Sequence, residues 1–159
     1  MIGRVFNLVV RACTVLGALA IAVMMLATCW DIAARQVANA PLHGVVELVE
    51  IMVLASAMLG LPETFLRDEQ IRVDLVDSVL PAKLIAVIKA IALVLAIVLL
   101  AILAFNVYQP MLDARMFGDV KYDLGVPVYP LYGLIIFSFV VSIFSCFAAL
   151  LQQMKPGGV

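Results

Sequence analysis

Charge is what this sequence has least of: Asp, Glu, Lys and Arg make up only 13% of its 159 residues, against about 25% in an ordinary soluble domain. Hydrophobic residues make up 66%. No charged residue occurs in the stretches 12–30, 51–62, 90–112 and 124–154. Because a membrane-spanning helix needs about 20 apolar residues, four such helices and their loops use nearly the whole chain. The composition predicts an all-α integral membrane protein and leaves no room for a soluble catalytic domain.

Other scarce residues exclude further classes of protein. The net charge of −1 and the scattered basic residues provide no patch for nucleic acid. Cys13, Cys29 and Cys146 lie in apolar stretches without a CxxC pair, which favours packing over redox chemistry or zinc binding. The single histidine, His43, cannot supply both axial ligands of a bis-histidine haem. We therefore expect no catalytic residue, cofactor or metal site in this chain.

The charge-free stretches and their flanks predict one four-helix membrane domain over residues 1–159. The first apolar run is longer than that of a signal peptide, so it is expected to remain as a span, followed by an i,i+4 ion pair between Asp31 and Arg35. The third span is expected to stop before Pro110, and the fourth to carry Pro127 and Pro130 in its first turns. The predicted spans are about 12–34, 44–66, 82–109 and 126–152.

The second span carries the most informative polar residues. Glu47 and Glu50 lie near its N-terminus, where the helix dipole favours negative charge. Pro62 removes a backbone donor and is expected to kink the helix. Ser56 and Gly60 are four residues apart, a spacing at which small side chains let another helix approach closely.

Residues 67–81, between the second and third spans, are predicted to form a short amphipathic helix in the plane of the membrane interface. Val73 breaks the amphipathic pattern, so a bent loop is the alternative. The apolar face of the predicted helix consists of Ile71, Leu75, Val76, Val79 and Leu80.

The distribution of Lys and Arg predicts the orientation of the four spans. One side carries seven basic residues and the other three, so the positive-inside rule places both termini in the cytoplasm. The opposite side is acidic. Its basic residues are Arg35, Arg115 and Lys121, and its acidic residues are Asp31, Glu47, Glu50, Asp113, Asp119 and Asp123.

Several short runs are similar to those of a known transporter family. They are residues 44–50 (GVVELVE), 59–60 (LG), 67–74 (RDEQIRVD), 80–81 (LP) and 124–127 (LGVP), followed by Tyr132. Together with the four-span layout, these runs resemble the small membrane subunit of TRAP transporters, the DctQ-type subunit of tripartite ATP-independent periplasmic systems.

The resemblance implies an accessory role in a three-protein complex of the bacterial inner membrane. A periplasmic binding protein of the DctP type captures an organic acid anion, such as a dicarboxylate or sialic acid. A large DctM-type membrane subunit holds the substrate and sodium sites, so sodium coupling is expected there and not in this chain. The small subunit packs beside the large one, braces its static scaffold and helps dock the binding protein; membrane lipids are further partners.

By analogy with the family, two groups of residues are candidates for contacts with partners. For Arg67 and Asp74, a solvated or headgroup-facing surface remains the alternative. Residues near the docked binding protein are expected to include Asp31, Asp113, Asp119 and Asp123. Residues contacting the large subunit or fixing the connector are expected to be Glu47, Glu50, Ser56, Gly60, Arg67 and Asp74.

Two rival functions are compatible with a four-span chain. One is an autonomous homo-oligomeric proton-coupled exporter, with Glu50 or Glu63 as its proton site. The other is a membrane enzyme acting on lipids or thiol conjugates, which needs a polar cluster inside the membrane. The third and fourth spans offer only Asn106, Tyr108 and Tyr132 for such a cluster.

Overall fold

The computed structural model describes residues 2–38, 43–66 and 82–153. They form four helices, each long and apolar enough to cross a membrane, which confirms the predicted all-α four-helix class. The connector at 67–81, with its predicted amphipathic helix, lies outside the described residues. The helices are α1 (Ile2–Ala38), α2 (Val45–Leu66), α3 (Ala82–Phe117) and α4 (Tyr129–Gln153).

Helices α1 and α3 are longer than a bilayer requires. They contain 37 and 36 residues, which at 1.5 Å per residue gives about 55 Å each, against a hydrocarbon core of about 30 Å. Helix α3 does not stop before Pro110 but continues to Phe117. Ala114, in its last turns, is buried. The helix ends at Gly118, whose φ of 67° is left-handed, with the Asp119 N–H donating to the Ala114 carbonyl at 3.0 Å.

The four helices pack in the spatial order α1, α2, α4, α3, so α2 and α4 are central. Helix α1 contacts α2 along one face, on which buried residues recur every three or four positions. The two backbones approach closely at Gly17, because a Cβ added there would be 3.2 Å from the Ser56 carbonyl oxygen. The buried residues at this spacing are Val10, Cys13, Gly17 and Ala20, and Asp31 is buried further along α1.

The main core lies between α3 and α4, with side chains of α2 joining it. Leu100 of α3 packs against Phe139 and Cys146 of α4, and all three are buried. The flanking helices leave many large apolar residues exposed, such as Leu26 of α1 and Phe105 of α3. Exposing so much apolar surface to water is unfavourable, so these exposed residues agree with a lipid environment. Partly buried residues around the core include Met58, Leu61, Phe65, Ile97 and Val107.

Helix α2 continues through Pro62, which is fully buried. A proline at this position removes the N–H that would normally donate to the Met58 carbonyl four residues earlier. The hydroxyl of Ser138 in α4 donates to that carbonyl instead. A serine from a neighbouring helix thus satisfies the backbone group that the proline leaves without a donor, as membrane helices require.

Candidate functional site

The loop between α3 and α4 forms a compact hairpin, residues 119–128. Val120 and Pro127 face each other as an isolated antiparallel bridge. The Lys121 N–H donates to the Val126 carbonyl at 2.9 Å, and the Gly125 N–H donates to the Lys121 carbonyl at 2.7 Å. Gly125 has a φ of 65°, a conformation that glycine adopts without strain. The hairpin therefore takes up the residues that were expected to open the fourth span, and α4 begins at Tyr129.

Two glutamates of α2 attach this hairpin to the beginning of that helix, and we call their contacts the clasp. The Glu47 Oε2 accepts hydrogen bonds from the backbone N–H groups of Asp123, at 3.1 Å, and Leu124, at 3.0 Å. The Lys121 Nζ lies 2.7 Å from the Glu50 Oε2. The clasp consists of Glu47, Glu50, Lys121 and the two backbone N–H groups.

Gly44, directly before α2, allows the hairpin to sit this close. It is buried and has a φ of 80°. A Cβ added at this position would lie 2.8 Å from the Leu124 Cδ2, closer than real Cβ contacts come. The absent side chain thus provides both the left-handed turn into α2 and the space that Leu124 occupies.

A groove of about 340 Å³ lies beside α2, next to the clasp. Two polar residues, Glu50 and Lys121, line one end of the groove, and its other lining residues are apolar. The groove lies where α2 faces the beginning of α4 and the hairpin. The remaining lining residues are Ile51, Val53, Leu54, Ala57 and Leu131.

The predicted acidic residues occupy different environments. Asp113, Asp119 and Asp123 are exposed on the last turns of α3 and on the hairpin. Asp31 is only 6% exposed and forms the predicted i,i+4 pair with Arg35, at 2.6 Å. Three of the four residues expected near a docked protein are therefore accessible at one end of the molecule.

The predicted partner-contact residues of α2 also differ in their surroundings. Glu47 and Glu50 come together in the clasp, where both have partners within the chain. Ser56 donates its hydroxyl to the Val53 carbonyl at 2.9 Å, and its backbone faces α1. A Cβ added at Gly60 would meet no atom within 4 Å, so this glycine borders open space. Arg67 and Asp74 lie outside the described residues.

Sequence reasoning missed three residues that organise this region: Lys121, Leu124 and Ser138. A signal for the hairpin was present, since Gly125 lies four residues after Lys121 and precedes a Val-Pro pair. Nothing in the sequence signalled that Ser138 would face Met58, because that depends on how two distant helices are aligned. Across the described ranges, no group of three His, Cys, Asp or Glu could hold a metal ion.

Comparison with known proteins gives one match. The profile of the family described as "Tripartite ATP-independent periplasmic transporters, DctQ component" matches residues 24–155, most of the chain. No curated protein and no solved structure matches it.

Proposed function

Because the chain belongs to the DctQ family of TRAP transporter components, we propose that it is the accessory small permease subunit of such a transporter. In this role it braces the scaffold of a large DctM-type membrane subunit and helps dock a DctP-type periplasmic binding protein. The complex takes up an organic acid anion, such as a dicarboxylate or sialic acid. Sodium coupling resides in the large subunit.

The observation that carries this proposal is that polar groups of the described residues join the helices and the hairpin to one another. Helix α4 is central and contains no charged residue. Its buried Ser138 satisfies the backbone of α2, and the glutamates at the start of α2 bind the hairpin. These groups hold helices together, which is what a scaffold subunit needs. A transporter working alone would need polar groups free to bind a substrate in the membrane.

The open face of α2 at Gly60 is the surface that we assign to the large subunit. The backbone of Ser56 is already covered by α1, so the glycine is the part of the small-residue face left for another helix. Arg67 and Asp74 would continue the contact towards the connector. Glu47 and Glu50 would act through the clasp, by holding the end of α2 in place.

The exposed carboxylates of Asp113, Asp119 and Asp123 are the surface that we assign to the binding protein. Their charge favours a partner that presents basic residues, since complementary potentials speed encounter. Buried Asp31 would support this end of the molecule without touching the partner. The assignment places the hairpin in the periplasm and both termini in the cytoplasm of a bacterial cell, in agreement with the excess of basic residues on the other side.

A pull-down from native membranes tests the accessory role. The full chain, tagged at its C-terminus and extracted in mild detergent, is expected to bring down one large membrane protein in equal amount. Gly60→Leu is expected to lower that yield. Gly133→Leu is the matched control, because a Cβ at Gly133 of α4 also meets no atom within 4 Å.

Two outcomes would refute the proposal. One is recovery of the chain only with itself, together with transport by that chain alone in proteoliposomes. The exporter alternative predicts this result. The other is an equal loss of the partner in both glycine variants, which would show that Gly60 has no special place in the interface.

A further inference from the structure

From the groove beside α2, we infer a binding site for one phospholipid whose headgroup carries both an amine and a phosphate. The groove holds about 340 Å³, and the Glu50–Lys121 ion pair lines it. This volume is at the lower end of the range of about 300–1,000 Å³ for small-molecule sites. The inference concerns this chain alone and does not depend on the proposed function.

The polar end of the groove, at Glu50 and Lys121, has the hydrogen-bonding capacity for such a headgroup. The Lys121 ammonium has three donors, and its hydrogen bond to the Glu50 Oε2 uses one of them. The Glu50 side chain remains 65% exposed, so its carboxylate can accept from a further cation. A lipid phosphate therefore fits Lys121 and a lipid ammonium fits Glu50. A headgroup of one charge sign would satisfy only half of this pair.

The walls of the groove suit an acyl chain. Glu50 lies in the second turn of α2, near the end of the membrane-spanning helix, where lipid headgroups lie. Val53, Leu54 and Ala57 continue from it into the helix over seven residues, or about 10 Å at 1.5 Å per residue. Leu131 of α4 forms the opposite wall. Because this depth is surrounded by hydrocarbon, an apolar groove there is filled by a lipid chain unless a partner covers it.

The depth of the ion pair favours a lipid over a helix of a partner protein. A helix packing into this groove would have to place a polar side chain opposite Glu50 and Lys121 while its apolar residues meet Ala57. A phospholipid has a polar headgroup for Glu50 and Lys121 and an apolar chain for the region of Ala57. The lipid is therefore the occupant that matches both ends of the groove.

Native mass spectrometry can count the bound lipid. The full chain, with any partner that copurifies, is extracted in mild detergent, stripped of lipid and mixed with phosphatidylethanolamine or phosphatidylglycerol. One phosphatidylethanolamine per chain is expected to remain bound. Phosphatidylglycerol, which lacks the amine, is expected to bind at least about tenfold more weakly, as for the loss of one charge-assisted hydrogen bond. Glu50→Gln is expected to abolish most of this preference.

Ala57→Trp tests the acyl-chain part, because the indole would fill the groove. Bound lipid is expected to fall to the background level, whereas Ala101→Trp, on the exposed surface of α3, is expected to bind as the unchanged chain does. A phosphatidylethanolamine with a photoreactive acyl chain provides a second measurement on the unchanged chain. Its crosslinks are expected at Leu54, Ala57 or Leu131.

Three results would overturn the inference. Equal lipid counts for the two tryptophan variants would show that the groove holds no lipid. Crosslinks spread over all exposed helix faces would indicate only the general lipid shell. If Ala57→Cys crosslinks to a copurifying membrane protein and the photoreactive lipid does not reach this residue, the occupant is a protein helix.

Discussion

Replacing Ser138 by alanine removes the hydroxyl that donates to the Met58 carbonyl, which Pro62 deprives of its helical partner. A buried acceptor without a donor costs about 1–3 kcal/mol in soluble proteins. Hydrogen bonds between membrane helices average about 0.6 kcal/mol and reach about 1.7 kcal/mol. We expect Ser138→Ala to lower the free energy of unfolding by about 1 kcal/mol, towards the upper half of the membrane range, because the orphaned carbonyl has no alternative donor in its own helix.

A double-mutant cycle with Pro62→Ala isolates this contribution. Alanine at position 62 restores the N–H that can donate to Met58 within α2, so Ser138→Ala is expected to cost little in that background. The assay is reversible unfolding in mixed detergent micelles, followed by circular dichroism. Ser142→Ala is the matched control, because Ser142 is equally buried on α4 and its hydroxyl has no partner among the described residues. Ser142→Ala is expected to leave the free energy of unfolding unchanged or to raise it.

Two results would refute the reasoning. If Ser138→Ala and Ser142→Ala cost the same, the Ser138 hydroxyl has no special acceptor. If the cost of Ser138→Ala is unchanged in the Pro62→Ala background, the serine does not compensate for the proline. In either case the alignment of α2 and α4 would rest on apolar packing alone.

Three further substitutions test the clasp and the helix contacts. Glu47→Ala leaves the N–H groups of Asp123 and Leu124 without their acceptor, so their hydrogen exchange should accelerate about tenfold or more; unchanged exchange rates would contradict the clasp. Gly44→Ala places a methyl group 2.8 Å from Leu124 at a φ of 80°, and should lower the free energy of unfolding by about 1–2 kcal/mol, a loss that a smaller side chain at Leu124 should partly reverse. Gly17→Val pushes α1 away from α2 and should lower the free energy of unfolding by about 1–3 kcal/mol. An unchanged melting temperature would show that the helices are not in close contact at Gly17.

The helix count and class could be predicted from the sequence because they depend on the length of apolar runs, which is local information. The end of α3 could not, because Pro110 is the stronger local stop signal and the helix passes it. Its last turns contain the buried Ala114, and the left-handed Gly118 follows its last residue. Proline removes one donor, and a helix continues beyond it when tertiary packing offsets that loss.

The candidate site shows the same division between local and distant information. The position of Glu47 and Glu50 near the start of α2 could be predicted from the sequence, and the family resemblance implied contacts with a partner subunit. The partners that the structure gives them, the N–H groups of the hairpin and Lys121, lie more than 70 positions away in the chain. Because a single sequence carries no information on such pairs, these contacts within the chain could not be predicted.

The clasp and the Ser138–Met58 hydrogen bond both attach α2 to the α3–α4 region. They should differ in strength, because water reaches the first and not the second. The clasp lies at the end of the helix, where Glu50 is largely exposed and water competes for its hydrogen bonds. The Ser138–Met58 bond lies between two central helices, where no water competes. We therefore expect the hairpin to open locally while α2 and α4 stay packed. Hydrogen exchange should show the Asp123 and Leu124 amides exchanging at low protection while the amides around Met58 and Ser138 exchange only on global unfolding. Equal protection of both regions would mean that the hairpin and the helix pair form one cooperative unit, and the clasp would then be as much a part of the core as the serine contact.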